Sequence, residues 1–270
     1  MRITFLGGGN MANALIGGML DQGFVADDIQ VVELSADNRE NLRRSYGVSC
    51  HAAAELAAWS CDLIVLAVKP QQMKAAVQPL RRHLKEQLVV SIAAGLRLET
   101  LSDWLGGYRR LVRTMPNTPA LIGAGITGLC ALSEVDEVGR LAAERVLRSV
   151  GTTFWIADEA RMDAVTAISG SGPAYVFLFI EALQEAAREM GFDEEDAARL
   201  AIETTLGAAR LAAQSDVPAA TLRERVTSKG GTTEAALRAM AGAGVKAGIV
   251  AGAKAAAARG RELGDQLGAA

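Results

Sequence analysis

The chain has 270 residues, half of them apolar (50%) and 22% charged, which supplies a real core and excludes a disordered polymer. That length suits two ordinary domains better than one. With 28 basic against 31 acidic residues the formal charge is −3, which excludes the broad positive field that grips a nucleic-acid backbone.

Met1-Arg-Ile-Thr-Phe-Leu-Gly enters strand-like sequence at once, without the apolar leader and cleavage site of an export signal, so the expected location is the cytoplasm. Cys50, Cys61 and Cys130 form no C-x-x-C pair and read as reduced thiols. Up to about residue 115, short apolar runs at 2–6, 29–34, 62–67, 87–92 and 110–115 alternate with helix-like stretches. That alternation predicts a parallel sheet with helices on its faces. Runs at 123–130 and 152–156, with a helix over 135–150 between them, extend the sheet. His51 and His83 fall in helix-like segments without ligand spacing, and neither a metal cluster nor a Ser-His-Asp arrangement is suggested.

After about residue 160 the strands stop. A helix over 175–190 closes at Gly191, and Asp193 caps the next one, with Asp196 three positions on. The first of the pair opens Tyr-Val-Phe-Leu-Phe-Ile, apolar on every side, and asks to be enclosed by other helices or a second subunit. In the last 30 residues 18 are Ala or Gly, which reads as a loosely packed helix and a frayed tail. The stretch 241–258 carries Lys246 and Lys254 and reads as a soluble helix rather than a membrane span. An α/β half over 1–158 and an all-α half over 159–270 are therefore expected.

In open parallel sheets ligands bind beyond the carboxyl ends of the strands. The first such turn, Gly7-Gly8-Gly9-Asn10-Met11-Ala12, fits G-x-G-x-x-A between strand and helix and can receive a pyrophosphate on the helix amides. After the second strand, Glu33 suits the ribose hydroxyls of NAD, while Ser35, Asn38 and Arg39 suit the extra phosphate of NADP. Ala67-Val68-Lys69-Pro70 and Met115-Pro116-Asn117-Thr118-Pro119 end two more strands in proline, leaving Lys69 and Asn117 to flank the nicotinamide. In the helical half, Ser169-Gly170-Ser171-Gly172-Pro173 and Val226-Thr227-Ser228-Lys229-Gly230-Gly231-Thr232-Thr233 each put glycines and hydroxyls ahead of a helix, where an anion is favoured.

Taken in order, GGGNMA, AVKP, RTMPNTP, SGSGPAY and SKGGTTEAAL resemble the motifs of pyrroline-5-carboxylate reductases over essentially the whole chain, the SKGGTT stretch being the most specific. The resemblance implies an N-terminal Rossmann dinucleotide-binding domain followed by an all-α dimerisation domain, in a homodimer or a ring of dimers. It implies hydride transfer from NADPH, or alternatively NADH, to the C=N carbon of 1-pyrroline-5-carboxylate, giving L-proline. On this reading Ser228 and the turn amides of Gly230, Gly231 and Thr232 hold the substrate carboxylate, Thr233 meets the ring nitrogen, and Asp216 approaches that nitrogen from the partner subunit. Some relatives carry proline where this chain has Lys229, and the arginine of some NADP-using relatives is Leu34 here. Two alternatives compete: a β-hydroxyacid dehydrogenase, whose catalytic lysine is missing from the helix starting at Tyr175, and a non-catalytic sensor of dinucleotide or proline precursor.

Overall fold

A computed structural model describes residues 1–53 and 59–269. Its described strands are β1 (Ile3–Leu6), β2 (Ile29–Val32), β3 (Ser49–His51), β4 (Leu63–Leu66), β5 (Leu88–Ser91), β6 (Leu111–Met115), β7 (Gly125–Ala131) and β8 (Gly151–Trp155), joined in one sheet of order β3-β2-β1-β4-β5-β6-β7-β8. Neighbouring strands are parallel except β6 and β7, which are antiparallel. Helices α1 (Asn10–Asp21), α2 (Ala36–Tyr46), α3 (Pro70–Val77), α4 (Leu98–Trp104) and α5 (Glu137–Leu147) connect them.

Successive strand residues face opposite sides of a sheet, and here both sides are buried. Ile3 and Phe5 of β1 join Leu15, Ile16 and Met19 of α1 in one core. Leu6 enters the other core with Ile64 and Leu66 of β4 and Met73 of α3. This double burial explains why the strands read as unbroken apolar runs. Strand order reverses between β1, which pairs with β2 on one side, and β4 on the other. A crevice opens at such a switch point.

Two expectations need correction. His51 lies in edge strand β3, paired with Val32, and not in a helix; His83 follows the short 3-10 segment Gln78–Arg82. The Ala/Gly-rich tail is also no frayed end. It forms α11 (Val245–Ala269), whose Gly264 is buried against Gly95 so closely that a Cβ there would lie 3.1 Å from the Gly95 carbonyl oxygen. Leu267 packs on the second core, and Asp265 pairs with Arg97 at 2.6 Å.

The chain condenses into two compact units, one of Met1–Ser171 with the segment from Ala256 onward, the other Gly172–Ala255. After α6 (Met162–Val165) and a π-helical turn at Thr166–Gly170, the second unit holds α7 (Gly172–Glu189), α8 (Glu194–Ala213), α9 (Ala219–Arg225), α10 (Thr232–Gly242) and the start of α11. Gly191, at φ +94°, turns α7 into α8, and the Asp193 carboxylate accepts the Asp196 amide at 2.8 Å, as the sequence anticipated. Among the described residues of this unit only Ala197 and Ala201 are buried; Phe177 and Leu178 of α7 are 64% and 66% exposed. The apolar faces of this unit are thus not enclosed within one chain.

Candidate active site

The glycine turn after β1 is shaped by two close approaches. Gly7 has φ +101°, a left-handed value that disfavours side chains, and a Cβ there would lie 2.8 Å from the Ala67 carbonyl oxygen. At Gly8 a Cβ would meet Leu42 at 2.7 Å. Gly9, the N-cap of α1, differs: its backbone is extended and a Cβ would find nothing within 4 Å. The space in front of the first amides of α1 is therefore open, and those amides have no partner within the helix. This cradle fits a pyrophosphate. Asn10 and Met11 form the first turn behind it.

Side chains hold the turn's own polar groups away from that space. Asn13, which sequence reasoning missed, donates to the carbonyls of Gly8 at 2.7 Å and Gly9 at 3.1 Å. The Glu33 carboxylate accepts the amides of Gly8 at 2.9 Å and Ser35 at 2.8 Å. Burial pushes the Glu33 pKa up, but these two amides together with the Asn38 side chain outweigh it, and the net shift is downward. Asn38 spends its amide on the Gly8 carbonyl (2.7 Å) and Glu33 (3.2 Å). Arg39 spends Nη1 on the carbonyls of Glu33 and Leu34.

Asn38, expected on a phosphate, thus braces the loop. Glu33, suited by position to a ribose, does the same. Ser35 caps α2, accepting the Asn38 amide at 3.3 Å, and keeps its hydroxyl proton to donate. Leu34 is 84% exposed beside it.

From this turn a cleft of about 740 Å³ extends past Ala67, Val68 and Lys69 to Gln71, Gln72 and Pro79. Lys69 is exposed and N-caps α3, with Pro70 opening the helix. The α3 residues Gln71 and Gln72 carried no motif and went unnoticed in the sequence. Asn117 is 8% exposed and uses its carboxamide inside the protein, accepting the Ile126 amide at 2.9 Å and donating to the Ser169 carbonyl at 3.2 Å. Those two bonds use one N–H and one lone pair of the carboxamide expected beside the nicotinamide. Four residues earlier Arg113, 3% exposed, pairs with Glu159 at 2.8 Å and Asp163 at 3.7 Å, a buried cation held by two carboxylates.

In the second unit, the turn before α10 is also tightly made. Gly230 has φ +76° and its amide donates to the Glu234 carboxylate at 2.7 Å. The Gly231 amide is engaged by the Ser228 carbonyl at 3.0 Å, and a Cβ on Gly231 would lie 2.3 Å from the Ser228 hydroxyl. The amides of Gly230 and Gly231, both expected to meet a carboxylate, are therefore already spent. Those of Thr232 and Thr233, at the first two positions of α10, have no partner among the described residues, nor do the Ser228 and Thr233 hydroxyls. This is an anion-seeking helix start with a hydroxyl on each side. Asp216 is exposed in the bend between α8 and α9, without an ion pair among the described residues.

Residues 2–95 match a family model described as NADP oxidoreductase, coenzyme F420-dependent, and residues 159–263 match one described as pyrroline-5-carboxylate reductase dimerisation. A pyrroline-5-carboxylate reductase of Pseudomonas aeruginosa is 45% identical over 99% of this chain and 98% of its own. The chain belongs to the pyrroline-5-carboxylate reductase family. One of the Bacillus subtilis reductases is 37% identical over 100% of this chain and 97% of its own. Among solved structures, the Coxiella burnetii reductase superposes with a TM-score of 0.91 at 40% identity, covering 97% of this chain and 98% of that one. The Plasmodium falciparum reductase, solved with NADP bound, gives 0.87 at 28% identity, covering 98% of both.

As a member of this family the protein is an oxidoreductase of the proline biosynthetic type, with an NAD(P)-binding sheet domain and a helical dimerisation domain that makes it a homodimer. By length and composition one stretch among the described residues, Glu159–Glu189, would also suffice to cross a membrane, an 18-residue window of it having a mean hydropathy of 1.3. That stretch opens the region matched by the dimerisation model.

Proposed function

We propose that this reductase converts 1-pyrroline-5-carboxylate to L-proline with NADPH as the preferred donor, taking up one hydride and one proton per C=N bond reduced. The observation that carries the reading is an end-to-end match to reductases in a chain that keeps the open Gly9 cradle. The bound nicotinamide supplies the hydride. Gly7, Gly8 and Gly9 with the amides of Asn10 and Met11 hold its pyrophosphate; Ala67, Val68 and Lys69 wall the cleft, and Pro70 follows them as the first residue of α3. NADPH is preferred because Glu33, the acid that would select the ribose hydroxyls of NAD, is committed to Gly8 and Ser35. The Ser35 hydroxyl and the remaining guanidinium N–H groups of Arg39 take the additional phosphate.

The 159–270 half supplies the substrate end. The Ser228 hydroxyl and the Thr232 and Thr233 amides hold the carboxylate, which fixes the ring for reaction. The Thr233 hydroxyl bonds the ring nitrogen as it becomes an amine, and Asp216 approaches that nitrogen from the partner subunit. A cyclic imine enters already protonated, so orientation suffices without a histidine. The exposed face of α7 is covered by the second copy rather than by lipid, and the three buried free thiols suit a reducing cytoplasm.

The test is NADPH oxidation by purified protein with 1-pyrroline-5-carboxylate, beside NADH and an open-chain β-hydroxyacid pair. Rapid turnover of the imine with NADPH is expected. Tight cofactor binding without turnover would favour the sensor. Sedimentation gives the dimer mass, or the larger mass of a ring of dimers.

A further inference from the structure

We propose that Asn117 is a positioning residue for this reaction: it clamps the π-helical turn Thr166–Gly170 against the end of β6, fixing the Ser169-Gly170-Ser171 backbone at the carboxyl edge of the sheet. The inference rests on the reductase reading above. Asn117 lies two residues beyond β6. Its Oδ1 anchors it to β7 through the Ile126 amide, and its Nδ2 donates to the Ser169 carbonyl. A π turn forgoes part of the regular helical ladder, and here the carboxamide supplies the Ser169 carbonyl with its partner. In a residue 8% exposed, losing either bond leaves a buried group unpaired.

Independent contacts draw the same segment to the same strand. A Cβ on Gly170 would stand 2.6 Å from the Met115 Cε, so the turn packs against the methyl end of the side chain that closes the strand. The Ser171 amide closes the turn on the Thr166 carbonyl at 2.8 Å. At the segment's beginning, Arg113 of β6 holds Glu159 and Asp163. Residues 159–170 are thus pinned to β6 at both ends. Ligands of this fold gather at that edge, so a shift of the turn misplaces the substrate while leaving the pyrophosphate cradle at Gly9 untouched.

Asn117→Asp separates the two bonds. It keeps an acceptor for the Ile126 amide but turns a carboxylate oxygen on the Ser169 carbonyl. At neutral pH, kcat/KM for 1-pyrroline-5-carboxylate should fall ~10- to 100-fold, the scale of an ångström-sized misplacement, with the NADPH Kd unchanged. As pH is lowered, the mutant-to-wild-type ratio should recover, because a protonated carboxyl donates to Ser169 again; Asn117→Ala should show no such recovery. Asn117→Ser, whose shorter side chain reaches neither partner, should give the same loss in kcat/KM at unchanged Kd, and it decides the matter if Asn117→Asp does not fold. A loss of NADPH affinity equal to the loss in kcat/KM would overturn the proposal by making Asn117 a cofactor contact. So would a pH-independent ratio, or wild-type kinetics in Asn117→Ser. An inactive wild type would overturn the reductase reading as well, whereas an active wild type with an indifferent Asn117→Asp overturns the clamp alone.

Discussion

Gly9→Val should abolish most cofactor affinity while leaving the fold nearly intact. Gly9 has φ −69° and ψ −176°, values open to any residue, and a Cβ there meets nothing within 4 Å. The folded chain loses only the N-cap preference for glycine, about 0.5–1 kcal/mol, or a melting shift of roughly 2–4 °C. The ligand loses far more. A valine between the pyrophosphate and the first amides of α1 removes charge-assisted hydrogen bonds of about 1.5–3 kcal/mol each. Two such bonds amount to about 3 kcal/mol at the least, roughly a 100-fold rise in Kd.

Gly7→Val is the contrasting control, because φ +101° and the approach to the Ala67 carbonyl make any side chain there a folding defect. Calorimetric titration with NADPH and thermal unfolding of both variants separate the two effects. Wild-type affinity in Gly9→Val would refute this account of the cradle, as would a melting loss as large as that of Gly7→Val.

Thr233→Ala should lower turnover by ~10- to 100-fold, the scale of a misoriented ring, at unchanged NADPH affinity; unchanged kcat at saturating imine would remove Thr233 from the reaction. Glu33 has a folded pKa below its ordinary 4.5, so its contribution to stability is full above that value and disappears as pH falls through the folded one. Glu33→Gln should therefore flatten the acid limb of a urea-stability profile, and an unaltered acid limb would count against the network around Gly8. Phe177→Glu places charge on the 64% exposed ring position of α7 and should dissociate the dimer in analytical ultracentrifugation; an intact dimer would locate the interface elsewhere.

Strands buried on both faces announce themselves as apolar runs, and β1, β2, β4, β5 and β6 were legible for that reason. Edge strand β3 was not: Ser49-Cys50-His51 is too short to show a period and exists through its pairing with β2. The expected site residues were picked by type and spacing, which do not encode the direction of their polar atoms. Glu33, Asn38 and Asn117 have the chemistry to meet a ligand, and only tertiary contacts reveal that they spend it on the Gly8 loop and the Ser169 turn. The tail misled because composition cannot express the value of a missing side chain. Gly264 is useful where it lies because the backbone of Gly95 comes so near.

That docking changes the chain's topology as an object to be synthesised. The unit containing the first strand also contains the residues from Ala256 onward, so the helical unit Gly172–Ala255 is an insertion in it rather than an appendage. Domains generally fold in order of emergence during translation, yet this sheet domain lacks Leu267 and the Asp265 partner of Arg97 until the segment beyond the helical unit leaves the ribosome. The first domain begun is therefore completed only after the dimerising helices of the inserted unit have emerged.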